Sequence, residues 1–101
     1  MKYEIWQADT DTTKGRYIAF TSYEFASRSN MVPTRDCYNK VYESEVSSDG
    51  KDYDILEHLF AKFNLDRPDD FYGRSLSVSD VIILDGQAYY TNNYGFKKIE
   101  F

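Results

Sequence analysis

The sequence is poor in the residues that build covalent or metal-held structure. Cys37 is its one cysteine and His58 its one histidine. A single thiol excludes an intramolecular disulfide, and no cysteine-based zinc site can be assembled. Long apolar runs are missing as well. Nothing approaches the roughly 20 residues a membrane-spanning helix needs, and residues 1–6, Met-Lys-Tyr-Glu-Ile-Trp, hold no apolar signal core. The expected location is cytoplasmic, with no membrane partner. Charge of one sign is nowhere concentrated. Residues 1–50 carry six basic and eight acidic side chains, residues 51–101 six and nine, for a net charge of −5. Dispersed cations on an acidic chain make a poor non-specific nucleic-acid binder, because phosphate affinity needs clustered positive charge. An acidic surface suits a basic protein partner instead, including one that normally holds DNA.

Aromatic residues are what the chain has in quantity: ten Tyr, seven Phe and one Trp, 18% of 101 residues. That length is one domain, residues 1–101, with a core of its own. Tyr combines an apolar ring with a polar tip and is at home half-exposed, as at interfaces.

Alternation over residues 2–7 predicts a strand, with Tyr3, Ile5 and Gln7 on one side and Lys2, Glu4 and Trp6 on the other. Residues 8–15 are polar and read as a loop, and residues 16–20 as a short extended piece. Thr21-Ser22-Tyr23-Glu24 has the form of a capping box, with Phe20 and Phe25 placed as a hydrophobic staple, so a short helix is expected over 22–28. Residues 38–46 alternate as a second strand, with Tyr38, Lys40, Tyr42, Ser44 and Val46 sharing a face. Ser47-Ser48-Asp49-Gly50 is a turn. The clearest helix runs over 52–63. Ile55, Leu56, Leu59, Phe60 and Phe63 fall on one face, Asp52 and Asp54 lie at its positive end and Lys62 at its negative end. Asn64 is placed as a left-handed stop. After a loop over 64–75, residues 76–84 read as the central strand. Its second half, Val81-Ile82-Ile83-Leu84, lacks polar alternation, so both its faces should be covered. Asp85-Gly86 signals a two-residue hairpin. Residues 88–91 and 96–101 complete the strands around a turn at Asn92-Asn93-Tyr94-Gly95. The expected fold is α+β: a small antiparallel sheet with one main amphipathic helix (52–63) and one short helix (22–28) packed on it.

Several groupings could carry chemistry. Ser75, Ser77 and Ser79 with Asp80 would need His58 for a hydrolytic triad, but no strand–turn–helix elbow surrounds them. Ser77, Ser79 and Asp80 read better as groups that bind backbone amides and fix a loop-to-strand corner. Asp66, Asp69 and Asp70 lack calcium-loop spacing, and Asp69 reads as shaping the turn after Pro68. Gly73-Arg74-Ser75 offers loop amides and a guanidinium without a Gly-rich phosphate fingerprint. Arg74 reads as an anion ligand of phosphate type, as a protein-contact residue, or as a brace pairing with Asp70 or a carbonyl. Phe71, Tyr72, Tyr89, Tyr90 and Tyr94 would make a stacking platform for single-stranded nucleic acid only within a basic groove. Cys37, near Arg35, is a reactive thiol or an inert one.

The run Phe63-Asn64-Leu65-Asp66-Arg67-Pro68-Asp69-Asp70-Phe71-Tyr72-Gly73-Arg74-Ser75-Leu76-Ser77-Val78-Ser79-Asp80-Val81-Ile82-Ile83-Leu84 resembles the YodL-like domain family. Tyr89-Tyr90, Gly95-Phe96, the ending in Phe101 and the upstream Tyr38-Asn39-Lys40-Val41-Tyr42 fit the same pattern. Arg74 stands where the family often has His. The resemblance implies a bacterial protein associated with plasmids, phages or conjugative elements, sometimes fused beside antirestriction-type domains, and it implies no established reaction. The expected function is a small non-enzymatic protein-interaction domain, in an anti-defence or mobile-element accessory role. No cofactor, metal or catalytic residue is expected. The partner surface would use Asp70, Phe71, Tyr72, Arg74, Ser75 and Tyr94. The alternatives are a nucleic-acid-binding module using an aromatic sheet face, and an unrecognised enzyme.

Overall fold

Strand β1 (Lys2–Ala8) lies between β2 (Tyr38–Glu45) and β3 (Val81–Leu84), and β4 (Gln87–Thr91) and β5 (Phe96–Ile99) extend the sheet beyond β3. Every pairing is antiparallel. This computed structural model describes residues 1–47 and 50–101. Helices α1 (Thr13–Ile18) and α2 (Tyr23–Arg28) and a single 3-10 turn (Arg35–Cys37) fall between β1 and β2, and α3 (Asp52–Leu65) falls between β2 and β3. The fold is α+β.

The alternating pleat divides the core in two. On one face Tyr3, Ile5, Ile82, Leu84 and Tyr89 meet Ile55, Leu56, Leu59 and Phe63 of α3. On the other, Ala8, Val81, Ile83, Ala88 and Tyr90 meet Ile18 of α1, Ala26 of α2, Cys37 and Tyr38. The main helix and the two short ones thus cover opposite faces. This explains why all four residues of β3 are buried without alternation. The Asp85-Gly86 turn is a tight hairpin, with φ of 46° and 88°, the positive values its twist demands.

The structure corrects several local expectations. Residues 13–18 form α1, where a loop and an extended piece were expected. Thr12 caps it by accepting from the Gly15 N–H at 2.9 Å, and one apolar anchor, Ile18, is too little to show a period. The cap of α2 is Ser22, one residue later than the capping box placed it, and its hydroxyl accepts from Phe25 N. Thr21 instead donates to the Ile18 carbonyl. Phe20 and Phe25 do not form a staple: both are exposed, and Phe25 stacks on Tyr17. Asn64 is helical, and the left-handed asparagine is Asn30, which ends α2 while the Met31 N–H reaches back to the Ala26 carbonyl at 2.8 Å. In β2 the register jumps between Ile5↔Tyr42 and Trp6↔Lys40, leaving Val41 unopposed. That bulge sends Tyr38 and Tyr42 to opposite faces, where strict alternation had put them together. The central strand begins at Val81, not at residue 76, and β5 ends at Ile99. Of the turn expected over residues 47–50, Ser48 and Asp49 lie outside the described residues.

Candidate functional site

The long connection from α3 to β3 carries no helix or strand, and side chains hold it at one end of the sheet. Its first part is a turn in which the Phe71 N–H reaches the Pro68 carbonyl at 3.1 Å. Phe71 turns inward, edge-on to Phe63 at 4.9 Å. Asp70 accepts from the Tyr42 hydroxyl at 3.0 Å, so it braces the loop and does not pair with Arg74. Gly73 follows because the backbone passes tightly there. A Cβ would stand 2.8 Å from Phe71 Cζ and 2.9 Å from Gln7 Oε1.

Gln7 is the clamp of this loop. It is the polar member of the inward face of β1 and is buried. Its Oε1 accepts from Arg74 N at 3.2 Å, and its Nε2 donates to the Arg74 carbonyl at 2.8 Å and to Asp80 Oδ2 at 3.2 Å. Asp80 is fully enclosed and also accepts from Ser77 N at 2.9 Å, the backbone-amide role expected of it. Its other oxygen stands 3.7 Å from Arg74 Nη2, an ion pair without a hydrogen bond. Burial pushes the Asp80 carboxyl up to about 6, outweighing the Ser77 amide, Arg74 and Gln7, which act to lower it.

Ser79, buried and at φ 87°, joins three segments. Its N–H reaches the Thr91 carbonyl at 2.9 Å, its carbonyl accepts from the Tyr38 hydroxyl at 2.6 Å, and its Oγ accepts from Phe20 N at 2.9 Å. Tyr38 is enclosed, and its hydroxyl is pushed well above the ordinary tyrosine range, first by burial. Phe20 therefore projects from a backbone at φ 66°, unusual for a bulky residue, and is 60% exposed. The Arg74 guanidinium lies over that ring, 5.2 Å from its centroid. The arrangement is a buried polar brace on the inside and an arginine on an aromatic ring on the outside.

The structure brings Arg74, Ser77, Ser79 and Asp80 together through this brace. Tyr72 and Ser75 are exposed beside it in sequence, Tyr72 at 92%. Tyr94, 97% exposed, tops the β4–β5 turn, closed by Asn92 N to the Gly95 carbonyl. Phe71 belongs to the core. The aromatic platform does not assemble, since Phe71, Tyr89 and Tyr90 are buried. His58 is exposed on α3 beside Lys62 and Leu65, and Cys37 is buried with its Sγ on the Thr34 carbonyl. Among the described residues, no group of three or more His, Cys, Asp or Glu is arranged to hold a metal ion, and no helix is long and apolar enough to cross a membrane.

Two residues of the site escaped the sequence reading. Gln7 gave a signal, a lone amide on an otherwise apolar strand face. Phe20 gave none, because nothing local announces a left-handed phenylalanine.

No curated protein and no solved structure matches the chain. A family model does, over residues 2–101, and it covers both sheet faces, all three helices and the Gln7–Arg74–Asp80 brace. On that match, the chain belongs to the YodL-like domain family.

Proposed function

We propose that this domain is a non-enzymatic protein-interaction module that presents Arg74 and Phe20 to its partner, with Tyr72 and Ser75 beside them. The observation that carries the reading is the Arg74 guanidinium lying on the exposed Phe20 ring, with Asp80 3.7 Å beneath it and the backbones of both residues held by hydrogen bonds to Gln7 and Ser79. Arginine and aromatic side chains dominate the energetics of protein interfaces, and a pre-ordered backbone lowers the cost of binding. Asp80, whose carboxyl burial raises to about 6, has no exposed surface from which to meet a substrate, which favours a bracing role over a catalytic one. The family association with mobile elements points to an anti-defence or element-accessory role as the sharpest form of this reading.

The test is affinity capture from a nuclease-treated bacterial lysate with the wild type, Tyr72→Ala and Arg74→Ala side by side. The expected result is one protein retained by the wild type and lost by both variants. Retention of nucleic acid alone before nuclease treatment, or the same proteins bound by all three forms, would reject it.

A further inference from the structure

The even spread of charge along the sequence does not survive folding. Residues 16–28, which contain the end of α1 and all of α2, lie on one face of the sheet with Arg74 and Lys97 against them: Arg74 over Phe20, and Lys97 Nζ 5.3 Å from the centroid of Tyr23. This set holds four cations, Arg16, Arg28, Arg74 and Lys97, against Glu24 on its surface and Asp80 enclosed 3.7 Å from Arg74, so it carries +2. The remainder of a chain of net −5 then carries −7. Asp9 and Asp11 precede α1 at the end away from Phe20, and Asp80 lies enclosed beneath Arg74. Three aromatic residues of the same segment are exposed: Tyr17 at 37%, Phe25 at 45% and Phe20 at 60%. A shallow, mostly apolar depression bounded by Tyr23, Glu24, Ser27, Arg28 and Lys97 continues the same surface.

We infer that this basic aromatic face binds an acidic amphipathic protein segment, one in which carboxylates flank an apolar side chain. The inference rests on the protein-interaction reading above and specifies the chemistry of the partner. Apolar rings ringed by charge are the anatomy of an interface core and its rim. The sign of the rim selects acidic partners and steers their approach. Nucleic acid fits less well. Tyr17 and Phe25 stack on each other, with ring centroids 5.7 Å apart, and Arg74 covers one face of Phe20, so each ring already has one face in use. Bases need open ring faces, whereas an apolar side chain can pack on the remaining edges.

The experiment probes the intact protein, fluorescently labelled, on an array of synthetic peptides in which Asp and Glu, or Lys and Arg, or neutral residues flank a central Leu or Phe. A single-stranded oligonucleotide is titrated in parallel. The variants are Phe20→Ala and the pair Arg16→Glu with Arg28→Glu, whose side chains are exposed, with folding checked by thermal melting. The inference expects binding to the acid-flanked peptides only. That binding should weaken with added NaCl and fall about tenfold or more in each variant. Equal binding to basic or neutral peptides, binding of the oligonucleotide alone, or a signal that proves to be self-association would overturn it. If lysate capture yields a partner that Tyr72→Ala loses while the array stays blank, the interaction reading stands and this inference fails.

Discussion

The buried hydroxyl of Ser79 accepts the backbone N–H of Phe20 at 2.9 Å, across 59 positions of sequence. An enclosed group thus holds an exposed ring in place. Ser79→Ala removes the acceptor and keeps the backbone demand, since alanine meets the same φ of 87°. The cost should be about 1–2 kcal/mol, the penalty for leaving a partly buried N–H unpaired. For a domain of this size that lowers the melting temperature by roughly 4–8 °C per kcal/mol. Amide hydrogen exchange at Phe20 should quicken, and an unchanged rate there would contradict the assignment.

Asp80 gives a pH signature. Its carboxyl is raised by burial to about 6, above an ordinary value of 3.8. Between those values the folded state holds a proton that the unfolded chain has released. The contribution of Asp80 is therefore fully present below about pH 4, declines as pH rises, and is lost above about pH 6, a change on the order of 3 kcal/mol. Asp80→Asn should remove that slope, read as the difference between wild-type and variant unfolding free energies across this window. Arg74→Ala should raise the Asp80 carboxyl further, because Arg74 acts to lower it. A carboxyl carbon titration of Asp80 by NMR reads both. A midpoint near the ordinary aspartate value would contradict the burial argument.

Gly73→Ala tests the close passage of the loop. The added carbon meets Phe71 and Gln7, both packed and unable to swing away. Overpacking of this kind costs about 1–3 kcal/mol. Removing one of the two obstacles in Gln7→Ala should make the double variant less unstable than the sum of the single ones. Strict additivity in chemical denaturation would show that the loop sits elsewhere.

The sequence made the long-range architecture readable where one residue type has one use. Asp85-Gly86 could only be a tight turn. The spacing of Ile55, Leu56, Leu59 and Phe63 could only be an amphipathic helix. The unbroken Val81-Ile82-Ile83-Leu84 required cover on both faces. Asp80 was legible as an amide acceptor because its neighbours are small and polar. What stayed hidden depends on contacts distant in sequence. Helix α1 has a single buried apolar side chain, Ile18, besides Gly15, so its helicity comes from its cap and its docking. The bulge at Val41 is set by pairing with β1, and no composition rule marks it. The Arg74 contact with Phe20 needs the loop before β3 to meet the end of α1, which only the assembled sheet brings about.

Phe20→Gly tests the central claim most directly, because it separates folding from binding. Glycine adopts the φ of 66° without strain, a gain of about 1–2 kcal/mol. Loss of the arginine–ring contact and of the partly covered ring area offsets most of that. The account predicts an unfolding free energy within about 1 kcal/mol of wild type together with loss of the captured partner. A large fall in stability with the partner still retained would contradict it, and would make Phe20 a packing residue.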